Sequence, residues 1–190
     1  MRRFIKTTVP AEGYQEVRRV GDKYVAHLEP VDNGDGSVTC YECMTDSEPD
    51  LNALSADLAV WKEYIAAREL ATARKVKIDS LMAYDSSDAV NSFTLGGQQM
   101  WLTRDERTQI DESINAYEAT GSTQMTKYFG GVAYTFTLAL WKQMLNALIV
   151  YASEALNVTE AHKATIGALT TVQAVEDYDF KVNYPPKLAF

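Results

Sequence analysis

The most apolar long segment of the chain runs from Thr137 to Leu156, TLALWKQMLNALIVYASEAL. Its apolar side chains recur on two neighbouring stripes at helical spacing, which is typical of a helix covered on most sides. Lys142 and Glu154 interrupt the run, so the pattern does not predict a membrane span. Thr137 lies where an N-cap is expected, because its hydroxyl can accept from the free amides of a first helical turn. We therefore expect this helix to form the centre of the core.

The N-terminal part of the chain has the pattern of strands joined by glycine-containing turns. It predicts a three-stranded meander, with strands at 14–20, 23–31 and 37–43. Gly21-Asp22 suits a hairpin turn, and residues 32–36 form a second turn. So few apolar residues need another surface to pack on. We therefore expect residues 1–46 to be a β-rich partner-binding region, with Tyr24 as a candidate contact.

A long helix is predicted to follow the meander. Ser47-Glu48-Pro49-Asp50 resembles a helix start with Ser47 as the N-cap, and no glycine or proline occurs from Asp50 to Leu95. Apolar residues then repeat at alternating steps of three and four, as in a coiled-coil seam: Leu51, Leu54, Leu58, Trp61 and Ile65. We expect one long helix, or two with a break near residues 66–73, ending by residues 85–87.

The seam has two interpretations that the sequence leaves open. It packs either on its own domain or on a partner helix, since two to three heptads are short for an autonomous coiled coil. We treat all five seam residues as candidate partner contacts.

An internal repeat follows, in which each copy reads as strand, Gly-Gly turn, strand and a capping threonine. The copies are 92–102 followed by Thr103 and 127–136 followed by Thr137. Gly-Gly suits a two-residue hairpin, because both central residues need a positive φ. Two copies predict a pseudo-symmetric sheet with helices packed on it.

Capping signals predict the helices around the repeat. Thr103 and Glu106 form a capping box that opens a helix to Ala119, with Ile110, Ile114 and Tyr117 facing inward.

Three more elements are predicted at the C-terminal end. Asn157 and Thr159 are expected to end the central helix and begin another, which extends to Leu169. Thr170 with Gln173 is expected to cap a short helix. Residues 183–190 cannot be helical at their two prolines, and their aromatic and apolar end predicts a docked extended segment.

These elements together predict an α+β protein in three parts. Residues 1–46 form the β-meander, residues 47–85 a long helix or helical linker, and residues 86–190 a C-terminal domain. That domain contains two β-hairpin–helix repeats and terminal helices.

Composition and charge narrow the function classes. At 190 residues and 46% hydrophobic content, the chain is long and apolar enough for a packed core. The net charge of -8 argues against a nucleic-acid partner, which favours a basic face. The N-terminus, MRRFIKTTVP, has no apolar run behind its arginines, so we expect no signal peptide and synthesis in a cytoplasm.

Each candidate for chemistry has a simpler structural interpretation. Cys40 and Cys43 lie three apart on a predicted strand, where they face opposite sides, which favours packed thiols over a zinc or redox pair. His162 lies near acidic residues but has no nucleophile beside it, which favours a histidine on a helix surface. Trp101 on a hairpin is either a core or interface residue or a sugar-binding platform. We predict no catalytic residue, no cofactor and no metal site, with Trp101 kept as a candidate partner contact.

A series of short motifs runs from about residue 74 to residue 180. They are Ala73-Arg74-Lys75, Lys77-Ile78, Ala83-Tyr84-Asp85, Phe93-Thr94-Leu95-Gly96-Gly97, Trp101-Leu102-Thr103, Ile114, Gly121, Thr135-Phe136-Thr137, Met144-Leu145, Ala161-His162-Lys163-Ala164 and the run from Leu169 to Glu176. Through these motifs the segment resembles a family of phage-associated domains of unknown function. Such domains occur in proteins encoded near the tail fibres of tailed phages and prophages. This copy resembles those of gut Bacteroidales genomes and their phages.

The resemblance implies a non-enzymatic role in a phage particle or in its assembly. A structural protein of the tail, fibre or baseplate is the expected function, and a transient tail-fibre assembly factor is the alternative. Partners would be copies of the chain itself or tail, fibre or baseplate proteins, without nucleic acid or membrane. The implied location is the virion, after synthesis in the cytoplasm of the bacterial host.

Overall fold

The computed structural model describes residues 2–190 and confirms an α+β fold. An N-terminal antiparallel sheet is followed by a long helix and then by hairpin–helix elements. The chain divides into two compact units, Met1–Ala71 and Thr72–Phe190, and the division falls inside the long helix. Among the helices of residues 2–190, none is long and apolar enough to cross a membrane.

The first unit contains a four-stranded antiparallel sheet. Its strands are β1 (Ile5–Pro10), β2 (Val17–Val20), β3 (Lys23–Asp32) and β4 (Ser37–Thr45), in the order β1-β4-β3-β2. The predicted meander is therefore present, but the sequence interpretation missed β1. Phe4, just before β1, is the buried side chain of this segment, while Ile5 is exposed, so β1 has little of the alternation that marks a strand. Pro10 ends β1 at the sheet edge, where a missing N–H is tolerated.

The long helix α1 (Leu51–Asp85) is continuous. The single-helix alternative and the predicted end by residues 85–87 are confirmed. The predicted N-cap, Ser47, is wrong, because Asp50 has this role. Its Oδ1 accepts from the amides of Asn52 at 2.9 Å and Ala53 at 3.3 Å. A carboxylate immediately before the first turn reaches these amides, which Ser47 is too far along the chain to do.

The first half of α1 packs on one face of the sheet. The buried residues of this cluster are Phe4, Ala26, Leu28, Cys43, Leu54 and Leu58. The opposite face is covered near His27, which is buried and stacks on Tyr14 with a centroid distance of 5.6 Å. The segment between β1 and β2 thus contributes to a second, smaller layer.

Two hairpins in the second unit each precede a helix, as predicted. They are β5 (Phe93–Leu95) with β6 (Gln98–Met100), followed by α2 (Arg104–Ala119), and β7 (Gln124–Phe129) with β8 (Val132–Thr137), followed by α3 (Leu138–Ala168). All four turn glycines have positive φ, from 55° to 83°. The predicted capping box of α2 is also present.

The hairpins form two separate two-stranded sheets, so the prediction of one pseudo-symmetric sheet is wrong. The C-terminal segment lies beside β5 instead. The Thr94 N–H donates to the Leu188 carbonyl at 3.0 Å, and the Phe190 N–H donates to the Thr94 carbonyl at 2.8 Å. This confirms the predicted docked tail, and its presence beside β5 explains why no second hairpin pairs there.

The central helix is buried as predicted but longer than expected. Leu138, Trp141 and Met144 lie in the largest core cluster, together with Ile110 and Ile114 of α2. The predicted break at Asn157 and Thr159 is wrong, since α3 continues to Ala168. Thr159 lies inside α3, where its buried hydroxyl donates to the Asp85 carboxylate at 2.7 Å, so this threonine makes a tertiary contact and does not cap a helix.

Two smaller predictions in this unit are also wrong. The last helix, α4 (Val172–Asp177), is capped by Thr171 rather than Thr170, since the Thr171 hydroxyl accepts from the Ala174 amide at 3.1 Å. Tyr117, expected to face inward, is 42% exposed near the C-terminal end of α2. It lies beyond the part of α2 that packs on the core through Ile110 and Ile114.

Candidate partner-binding site

The seam residues of α1 divide into a buried group and an accessible group. Leu54 and Leu58 are fully buried against the sheet of their own unit, and Leu51 packs partly on the same cluster. The interpretation that the seam packs on its own domain therefore holds for its first half. A partner reaches Leu54 or Leu58 only if the sheet moves away.

Trp61 and Ile65, at the other end of the seam, line an open groove. Its other lining residues are Arg2, Arg3, Phe4, Ile5, Lys6, Tyr64 and Arg68, and its volume is about 750 Å³. Trp61 forms the floor with Phe4, at a ring-centroid distance of 5.9 Å in an edge-on arrangement. We call this feature the β1–α1 groove.

The β1–α1 groove is basic. Arg2, Arg3, Lys6 and Arg68 line it, and none of its described lining residues is acidic. Arg2 forms a half-exposed ion pair with Asp57 at 3.4 Å. Arg68 lies over the ring of Tyr64, with its guanidinium carbon 5.7 Å from the ring centroid. An anionic group that enters the groove would therefore meet cationic side chains from both walls.

The heptad spacing predicts Trp61 and Ile65 as contacts, but no sequence pattern predicts the cationic residues of the groove. The available signal was the close spacing of three cations at the start of an acidic chain. Placing them beside Arg68 requires the pairing of β1 with the sheet, which the sequence pattern did not reveal.

The two remaining candidate contacts are not among the residues that line this groove. Tyr24 is on β3, partly exposed, with the Arg19 guanidinium carbon 6.0 Å from its ring centroid. Trp101 belongs to the second unit, where it packs edge-on against Tyr151 at 6.2 Å. The role of the seven predicted contacts in binding stays a prediction.

Trp101 is stacked on a cation inside its own unit. The Arg107 guanidinium carbon lies 5.4 Å from the centroid of a Trp101 ring, and burial, with a smaller contribution from Arg104, lowers the pKa of Arg107. Arg107 Nη1 is buried and has no hydrogen-bond partner within the described residues. One indole face is thus occupied by Arg107, which leaves less of the ring for a sugar.

The cysteines are packed thiols within the sheet. Cys40 and Cys43 are free and buried, and burial raises the pKa of both thiols. Raised values mean little thiolate at neutral pH, so both are poor nucleophiles and poor metal ligands. In residues 2–190, no three His, Cys, Asp or Glu side chains are grouped so that they could hold a metal ion.

His162 is buried, so its prediction as a helix-surface residue is wrong. Its Nε2 lies 3.0 Å from the Val182 carbonyl, and its Nδ1 lies 2.6 Å from the Tyr178 hydroxyl. A carbonyl only accepts, so Nε2 donates to Val182. With both ring nitrogens engaged, His162 fastens the segment after α4 onto α3.

Comparisons of the chain with protein-family models, with curated proteins and with solved structures give no match.

Proposed function

We propose that the chain is a non-enzymatic structural protein of a bacteriophage or prophage tail. It would be a virion component close to the fibre or baseplate, made in the cytoplasm of the bacterial host. The resemblance of residues 74–180 to phage tail-associated domains motivates the proposal. The second unit would supply a packed body, and the first unit would bind copies of the chain or another tail protein.

The observation that carries the proposal is that the first unit has open strand edges and exposed apolar side chains. Within the described part of the chain, no strand pairs with the outer edge of β1 or of β2. Large apolar side chains are exposed on the same unit: Ile5, Val20, Val31, Met44, Val60 and Tyr64. Open edges together with apolar side chains are what strand addition and helix packing use in protein recognition.

The decisive experiment is quantitative mass spectrometry of purified particles from the source phage or induced prophage. The proposal predicts that the chain is present at a fixed copy number per particle, as a multiple of three or six set by tail symmetry. A chain abundant in the lysate but absent from washed particles would contradict it. That result would favour the transient tail-fibre assembly factor.

A further inference from the structure

We propose that the β1–α1 groove binds an acidic, extended segment of a different protein, which adds to the sheet as a strand beside β1. The inference deepens the proposed function, because it names the chemistry of the partner. It rests on that function only for the statement that the partner is a tail protein.

The groove lies at an open sheet edge. β1 pairs with β4 on one side, and the groove is lined by residues 2–6 and by side chains of α1 but by none of β4. It therefore follows the outer side of the chain at the start of β1. A strand added there would lie about 4.8 Å from β1, bound by the backbone groups that point away from β4.

The positive charge of the groove indicates that the bound segment is negatively charged. Four cationic residues line it, although the chain as a whole has a net charge of -8. The Arg2–Asp57 ion pair is half-exposed on both sides, and exposed ion pairs contribute little to stability. Arg2 can therefore exchange Asp57 for a carboxylate of the partner at little cost.

The same charges argue against a second copy of the chain as the added strand. The other open edge of the sheet, β2, carries Arg18 and Arg19, and β1 carries Lys6. Pairing β1 with β1 or β2 of another copy would bring cations together, which disfavours strand pairing. An acidic segment of a different protein meets no such repulsion.

Apolar side chains in the groove indicate that the bound segment also contains apolar residues. Ile5 and Tyr64 are exposed at 64% and 46%, and Trp61 is partly buried. Successive side chains of an added strand point to opposite sides. In a segment that alternates carboxylates with aliphatic residues, all carboxylates therefore lie on one side of the added strand and all aliphatic side chains on the other. One side then faces the groove, and the other faces solvent or the flanking cations.

The test is fluorescence anisotropy of a labelled ten-residue peptide that alternates glutamate and valine, titrated with the full chain. A peptide with lysine in place of glutamate is the charge control. We expect the glutamate peptide to bind and the lysine peptide not to bind. Binding should weaken as salt rises, since the contacts are solvent-exposed.

Two charge-reversal variants locate the site. R3E/K6E changes the groove and should weaken binding of the glutamate peptide by at least about tenfold, whereas R18E/R19E on β2 should change it by less than about twofold. Tyr64→Ser, at an exposed position, should weaken binding without affecting the fold. Far-UV circular dichroism of each variant checks that the fold is retained.

Three results would overturn the inference. The lysine peptide could bind as tightly as the glutamate peptide, R18E/R19E could weaken binding as much as R3E/K6E, or a ten-nucleotide oligo-dT could bind more tightly than the peptide through Arg3 and Lys6. If the chain is absent from particles but still binds the peptide, the proposed function is contradicted and the proposal for the groove is not. If the chain is present in particles but does not bind the peptide, only the proposed binding by the groove is contradicted.

Discussion

The second glycine of each hairpin turn holds a backbone conformation that other residues rarely adopt. Gly97 has φ of 83°, yet a Cβ built on it meets no atom within 4 Å. Gly97→Ala should therefore destabilise the chain through backbone strain alone, by about 1 kcal/mol.

Gly167 in α3 is the matched control, because it also has open space around a Cβ but no positive φ. Gly167→Ala should raise the free energy of unfolding by about 0.5 to 1 kcal/mol, since alanine favours a helix over glycine. Urea unfolding of both variants measures whether each substitution raises or lowers the free energy of unfolding. Equal effects of the two substitutions would contradict the assignment of the Gly97 effect to backbone strain.

The capping box of α2 should make stability depend on acid pH. The Thr103 N–H and the Thr103 hydroxyl each donate to Glu106 Oε2 at 2.7 Å, and these bonds lower the pKa of Glu106. Because the pKa is lower in the folded state, the stabilisation is complete above the unfolded value of about 4.3. It is lost as pH falls through the folded value, and exposure to solvent keeps it below about 1 kcal/mol.

Glu106→Gln should remove this acid-dependent part and leave the rest of the pH profile unchanged. Thr137→Ala is the control, because the Thr137 hydroxyl caps α3 by accepting from the Leu140 amide at 3.2 Å without a carboxylate. It should lower the free energy of unfolding by about 1 kcal/mol at every pH. Urea unfolding at neutral pH and at about pH 3 distinguishes the two; an unchanged profile for Glu106→Gln would count against the capping box as the source.

Cap residues show what a local pattern can and cannot predict. Thr103 and Thr137 were predicted because each is followed at once by a helical apolar pattern. For α4 the residue type was right but the position was not, since Thr171 replaces Thr170. For α1 both were wrong, since Asp50 replaces Ser47. Where several capping residues lie close together, the sequence alone does not decide which of them caps the helix.

One buried hydroxyl in α3 makes hydrogen bonds outside its own helix. Thr159 Oγ1 donates to Asp85 Oδ1 at 2.7 Å and lies 2.8 Å from the Tyr184 hydroxyl. Thr159→Val keeps the side-chain shape but leaves these two polar groups without that partner. We expect a loss of about 1 to 3 kcal/mol in the free energy of unfolding.

Thr165→Val in the same helix is the matched control for Thr159→Val. The Thr165 hydroxyl is exposed and bonds only back to the Ala161 carbonyl at 2.9 Å. Its replacement should change stability by less than about 0.5 kcal/mol. Thermal unfolding of both variants tests the comparison; a Thr165 effect as large as the Thr159 effect would mean that helix propensity, rather than the cross-core bond, is responsible.

Hairpins and long helices were predictable, whereas strand partners were not. The Gly-Gly turns fix two hairpins because each turn needs two positive φ values in succession. Nothing local shows that β5 pairs with the C-terminal segment, or that β1 completes the first sheet. Both pairings join segments more than twenty-five residues apart, so they depend on the packing of the whole unit rather than on pattern.

The candidate site was predictable in its apolar part only. Trp61 and Ile65 follow from the heptad spacing of α1, but the spacing says nothing of the charges that surround them. The basic character of the groove arises because the fold brings residues 2–6 next to residues 61–68. The net charge of the whole chain is negative, so the positive charge of the groove could be recognised only from the structure.

The two compact units should lose stability separately. The first has a small cluster in which Leu58 is fully buried, and the second has a larger one in which Ile114 is fully buried. Leu58→Ala should cost about 2 to 5 kcal/mol through the cavity it leaves, and Ile114→Ala a similar amount. Because local opening follows cooperative units, each loss should remain within the unit where the cavity lies.

Hydrogen–deuterium exchange with mass spectrometry provides the measurement. Leu58→Ala should accelerate exchange in β3 and β4 and leave β7 and β8 unchanged, whereas Ile114→Ala should do the reverse. Because α1 contributes residues to both units, it is the element through which a disturbance would pass between them. Faster exchange in both sheets for either variant would show that the units unfold as one, and α1 would then be a coupling element rather than only a wall of the β1–α1 groove.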